Sequence, residues 1–201
     1  MMRFLVATKN LGKLREYQTL LADFPIEWVS LQEIGLGDMR VAETGTTLTA
    51  NACLKARAYA DASGLPTLAD DTGLEVDALG GAPGVYSARY GGPNASDADR
   101  YRKLLAELGD TEARGARFRC VIAIATPGGD IQTAEGKCEG YIARAPRGTN
   151  GFGYDAVFVV EARGVTMAEL TEAEKNTLSH RARALEAARP ILARRLEAQG
   201  K

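Results

Sequence analysis

The feature that most constrains this chain is its opening. Phe4-Leu5-Val6-Ala7 is an unbroken apolar run, which suits a strand buried on both faces. Past the turn Thr8 to Lys13, Leu14, Tyr17, Leu20, Leu21 and Phe24 recur at three- and four-residue spacings, and Pro25 closes the segment. That spacing predicts a helix. Strand, loop and helix therefore form the first unit, and a chain built this way is mixed α and β.

The remaining segments fit that class. Residues 48–62 are alanine-rich and end at Gly64 with Pro66 beyond, the usual order of helix stop signals. A short strand over Thr67-Leu68-Ala69 precedes Asp70-Asp71-Thr72-Gly73, read as a polar turn. Gly80 to Pro93 reads as a long shaped loop, a kind that in compact domains is commonly functional. Ser96 to Asp99 carries a capping signature for a helix whose stripe is Tyr101, Leu104, Leu105 and Leu108. Phe118 to Thr126 and Ile131 to Cys138 flank Pro127-Gly128-Gly129-Asp130, a hairpin pattern. Tyr141-Ile142-Ala143 and Ala156 to Val160 are expected strands around a glycine-rich loop from Gly148 to Gly153. A last helix is expected from about Thr177 to Ala198, kinked by Pro190. The sum is an α/β fold with a mixed β-sheet and helices, without repeats or a clear linker.

Bulk properties exclude several function classes. Lysine and arginine total 25 against 26 acidic residues, so no global positive field holds nucleic acid. Only four consecutive apolar residues follow Arg3, too few for a secretory or membrane segment, and the cytoplasm is the expected location. Cys53, Cys120 and Cys138 are widely spaced and lack a C-x-x-C pair, so they read as reduced core or strand residues. With His180 the only histidine, a histidine metal cage is impossible, and any metal should be a hard cation held by oxygen.

Four segments carry side chains able to do chemistry. Thr8-Lys9-Asn10-Leu11-Gly12-Lys13 sits at a strand-to-helix junction, where free N–H groups favour an anion. It lacks the G-x-x-x-x-G-K-[ST] pattern, and its lysines also fit a plain surface loop. Asp70-Asp71 places two carboxylates at a strand end, close enough to repel and to want a cation. One could bind Mg²⁺ while the other activates water, although an Asx turn or helix cap fits as well. Gly151-Phe152-Gly153-Tyr154-Asp155 sets an aromatic ring between glycines, suited either to stack on a base or to plug the core. Ser179-His180-Arg181, with Lys175 upstream, offers base-edge donors and phosphate charge, or simply a capped helix end.

Taken together these segments closely resemble the inosine/xanthosine triphosphate pyrophosphatase family, also called the Ham1 or RdgB-like family. The resemblance also draws on Glu43-Thr44-Gly45, Asn51 with Lys55-Ala56, and Gly80 to Tyr90, and it runs in order through nearly the whole chain. It implies a single ITPase-like domain of two lobes with the active-site cleft between them. It further implies hydrolysis of ITP, dITP and XTP to the monophosphate and pyrophosphate. By that analogy Asp71 is general base and metal ligand, with Glu43 a second ligand, and Mg²⁺ is the cofactor. Thr8, Lys9, Asn10, Leu11, Gly12, Lys13, Lys55 and Lys175 would hold the triphosphate, and Thr72 would touch substrate. Phe152, Gly153, Tyr154 and Asp155 with His180 and Arg181 would surround the purine. A homodimer is expected, with the Gly84 to Tyr90 stretch contributing to its interface. The sequence departs from the family's habit at Thr72 (often Ser), at Lys9 (commonly small) and at Ala42, where relatives frequently carry a second acid beside Glu43.

Overall fold

The computed structural model describes residues 2–199. In chain order it contains β1 (Met2–Val6), α1 (Leu11–Leu20), β2 (Ile26–Ser30), α2 (Leu48–Ser63), β3 (Thr67–Val76), α3 (Asp97–Leu108), β4 (Gly115–Ala125), β5 (Ile131–Ile142), β6 (Phe158–Val160), α4 (Glu172–Leu178) and α5 (His180–Gln199). The six strands form one sheet in the order β2-β1-β3-β4-β5-β6. The β1/β2 and β1/β3 pairs are parallel and β5/β6 is antiparallel, so the sheet is mixed as expected.

Two compact units divide the chain. The first takes the residues up to Asp71, Cys120–Gly136 and those from Ala182 on, and the second takes Thr72–Arg119 and Lys137–Arg181. Each has its own apolar core. In the first, Phe4 and Val6 of β1 pack with Tyr17 and Leu21, with Ile122 and Ile124 of β4, and with Leu185 and Leu192 of α5. In the second, Leu74, Leu104, Phe118, Phe158 and Met167 are buried together.

Several boundaries differ from the sequence reading, each for a local reason. The helix α1 stops at Leu20 rather than Phe24; Pro25 restricts only Phe24 before it, and residues 21–24 leave the helix. They close instead in tight turns, Ala22 N to Thr19 O and Phe24 N to Leu21 O. The strand β2 is additional to those expected, and its Ile26, Trp28 and Val29 are strand formers. The two segments expected at Ile131 to Cys138 and Tyr141 to Ala143 are one strand, β5. Gly140 lies in the gap between those segments, and a Cβ there would lie 2.1 Å from Val159 O and 2.7 Å from the Phe158 ring, so it marks close approach to β6. The expected last helix is also two: α4 ends at Leu178, and Ser179 is extended at φ −67° and ψ 156° before α5 begins. Helix α5 then continues through Pro190. The hairpin turn and the Ser96/Asp99 capping box stand as read.

Candidate functional site

The Asp70-Asp71 pair is not at a strand end. Strand β3 runs on for ten residues to Val76, so both carboxylates and Thr72-Gly73 lie inside it. Successive side chains of a strand point to opposite faces, which separates the two acids that the sequence placed in mutual repulsion. Each is met by its own lysine. Lys13 Nζ lies 2.6 Å from Asp70 Oδ2, and Lys55 Nζ lies 3.1 Å from Asp71 Oδ1. Burial leaves Asp70 and Asp71 3% and 8% exposed, and ionised carboxylates persist at that depth only when paired and hydrogen-bonded. The buried Cys120 thiol also reaches Asp70 Oδ2, at 3.7 Å.

Around Asp71 the first unit builds a compact cluster. Lys55 also contacts Glu43 Oε1 at 2.6 Å, so one ammonium answers two carboxylates. Asn51, on the same face of α2 one turn earlier, donates from Nδ2 to Asp71 Oδ2 at 3.2 Å. Burial pushes the Asp71 carboxyl above the usual carboxylate range and the Glu43 charge adds to this, while Lys55 and Lys13 oppose it. For Lys55, burial pulls down, but Asp71, Asp70 and Glu43 together outweigh it and hold the ammonium above its ordinary value.

Among the described residues, no group of three or more His, Cys, Asp and Glu side chains is arranged to hold a metal ion. Glu43 and Asp71 are two oxygen donors converging on one cation, and their two negative charges exceed the single charge of Lys55. That set fits a hard divalent ion, which takes carboxylate oxygens.

In the Thr8 to Lys13 loop, four of the N–H groups expected to be free are taken, that of Thr8 by Val6 O at 3.0 Å. Asn10 is the N-cap of α1, and its Oδ1 accepts from Gly12 N at 2.8 Å and Lys13 N at 3.1 Å. Asn10 N itself donates to Thr8 Oγ1 at 3.2 Å. Lys9 and Leu11 are exposed, Leu11 at 69%.

The second unit gathers the other candidates. The Arg181 guanidinium is fully buried, with Nη2 3.4 Å from Thr72 Oγ1 and Cζ 5.8 Å from the centre of the Phe152 ring. Lys175 Nζ lies 4.8 Å from the same ring and 2.7 Å from Asp155 Oδ2. Asp155 Oδ2 accepts from Phe152 N at 2.9 Å, and a Cβ at Gly151 would strike it at 2.1 Å. His180 stacks on Phe118 with centroids 4.6 Å apart. Tyr154, expected at the purine, is buried and donates to Ser87 O at 2.9 Å. One partner escaped the sequence: Asp97, read only as part of a helix cap, accepts from Gly153 N at 2.6 Å. Two carboxylates thus hold the consecutive N–H groups of Phe152 and Gly153, and no spacing in the sequence announces it.

The fold is α/β on a mixed sheet, with part-buried lysines paired to buried carboxylates in one unit and a buried arginine beside an aromatic ring in the other. The chain belongs to the Ham1 family, whose model matches residues 4–191. It is 50% identical over 187 residues to a protein of Bacillus licheniformis named dITP/XTP pyrophosphatase, covering 92% of this chain and 95% of that one. Among solved structures, a HAM1 protein from Coxiella burnetii superposes with a TM-score of 0.87 at 45% identity, covering 96% of this chain and all of that one. The Ham1 protein of Staphylococcus aureus gives 0.84 at 40% identity, covering 98% and 99%.

Proposed function

We propose that this protein hydrolyses dITP, ITP and XTP to the nucleoside monophosphate and pyrophosphate, as one ITPase-like domain acting in the cytoplasm on the nucleotide pool. The observation that carries the reading is Asp71, buried in β3 and held by Lys55 and Asn51 beside Glu43. A carboxylate so fixed is a base of defined direction. It takes a proton from the water that attacks the α-phosphorus, and the pyrophosphate group leaves. Asp71 with Glu43 would hold Mg²⁺, which would supply positive charge to the phosphate groups when bound. Lys13 and Lys55 add fixed cations, and the Thr8 to Lys13 loop and Lys175 complete the triphosphate contacts.

Thr72, Phe152, Gly153, Tyr154, Asp155, His180 and Arg181 serve the nucleoside. Phe152 offers a flat face for the purine, and Arg181 and His180 offer donors. Hypoxanthine and xanthine present a 6-oxo acceptor where adenine presents an amino donor. A donor left unpaired in such a pocket costs about 1 to 3 kcal/mol, or one to two factors of ten in kcat/KM. Guanine shares the 6-oxo group, so these donors separate 6-oxo purines from adenine and not hypoxanthine from guanine. The active form is read as a homodimer, and neither nucleic acid nor membrane as a partner; among the described residues no helix is long and apolar enough to cross a membrane.

Pyrophosphate release from a panel of ITP, dITP, XTP, GTP and ATP tests the substrate assignment. Preferential turnover of the first three supports it, and equal rates on ATP would sink it.

A further inference from the structure

Asn51 is fully buried, and both ends of its side chain are engaged. Its Oδ1 accepts from Gly45 N at 2.8 Å, and its Nδ2 donates to Asp71 Oδ2 at 3.2 Å. The amide can sit only this way round, because the Gly45 N–H is a donor and must meet the oxygen, which turns the nitrogen toward Asp71. Gly45 is bound equally tightly. A Cβ there would lie 2.7 Å from Asn51 Oδ1, 2.7 Å from Ala50 Cβ and 3.0 Å from Asn51 N, so the segment after Glu43 is pressed against the start of α2. Lys55, four residues on, holds the other Asp71 oxygen and also Glu43. Two residues on one face of one helix therefore define the plane of the Asp71 carboxylate, one oxygen each.

The geometry points to Asn51 as a positioning residue that sets the direction of Asp71 and ties it to the backbone segment bearing Glu43. It rests on the reading of Asp71 as the base. Lys55 alone leaves the carboxylate free to turn about its single ammonium contact, since an ammonium is a compact charge on a flexible stem. The planar amide removes that freedom. Because its oxygen is anchored on the backbone, it also fixes the separation between the base and the Glu43 loop. A base misdirected in this way loses turnover while substrate binding is kept.

Two variants separate the arms. Asn51→Ala removes both bonds; Asn51→Asp keeps an oxygen for Gly45 N but sets a second oxygen, without a donor, against Asp71. With ITP and Mg²⁺, kcat should fall about 10- to 100-fold in both, the range for lost orienting partners, with KM within about threefold of wild type. A spectroscopic signature needs no substitution at position 51. In the wild-type spectrum one Asn51 side-chain amide proton should be shifted downfield by its carboxylate acceptor, and Asp71→Asn should remove the shift. Should kcat in Asn51→Asp stay within about twofold of wild type, or the amide proton be the same with and without the Asp71 carboxylate, the positioning role is overturned. Asp71→Asn measured alongside keeps the two ideas apart. Turnover surviving that change defeats the reading of Asp71, whereas turnover lost there but retained in Asn51→Asp defeats only the role given to Asn51.

Discussion

Replacing Lys175 by methionine should unfold the second unit more readily than any surface ion-pair variant. The Lys175–Asp155 pair is 2.7 Å long, and its side chains are only 7% and 5% exposed. Removing one partner of a buried pair strands the other charge, at about 3 to 5 kcal/mol. For a chain of this size each kcal/mol moves Tm by about 2 to 4 °C, so the fall should be roughly 6 to 20 °C. Asp155 Oδ2 is also the acceptor for Phe152 N, so its displacement should tilt the ring expected to carry the purine. Thermal unfolding of Lys175→Met, Asp155→Leu and the double variant, with KM for ITP on each, is the assay. The double variant should be less destabilised than the sum of the singles, because no charge is then stranded. KM should rise in all three. A loss below about 1 kcal/mol in Lys175→Met, the range of an exposed pair, or additive losses in the double variant, would refute the reasoning.

Other outcomes follow from the same geometry. Gly140→Ala should cost about 1 to 3 kcal/mol by overpacking, since the added carbon meets Val159 O at 2.1 Å and β5 and β6 must part; unchanged Tm would show that β6 yields freely. Acid should weaken the helix caps. The Thr171 backbone N–H, then its hydroxyl, hold the Glu174 carboxyl below its ordinary 4.5. A depressed folded-state pKa gives stability that is present above 4.5 and lost as pH falls through the folded value. The Tm gap between wild type and Glu174→Gln should therefore be open at neutral pH and close in acid, and a gap independent of pH would contradict the capping account.

The sequence made legible what local signals encode. The run Phe4 to Ala7, the periodic stripe after it and the Ser96/Asp99 capping box each follow from neighbours within a few residues, and each is present. Signals that mislead were those whose meaning is set by distant chain. The gap between the strands ending at Cys138 and starting at Tyr141 closes only when Gly140 is known to lie against Val159 O, and Ser179 interrupts a helical stripe that periodicity alone carries through. The site shows the same split. Asp70 and Asp71 were identifiable as candidates, but their separation onto opposite faces depends on β3 continuing past Gly73. Asn10 was grouped with the phosphate loop, where its side chain already caps two of the N–H groups. Asn51 stood out beside Lys55, but its bond to Asp71, 20 residues on, was not legible, and the service of Asp97 to Gly153, 56 residues away, had no signature at all.

The central claim is that Asp71 drives a metal-dependent attack on the α-phosphorus, and pyrophosphate release from ITP by wild type and Asp71→Asn, with Mg²⁺ present or chelated, tests it most directly. The account predicts turnover only in wild type with Mg²⁺, with Asp71→Asn folded and still able to bind ITP. Release by Asp71→Asn at a rate near wild type, or turnover untouched by chelation, would contradict it.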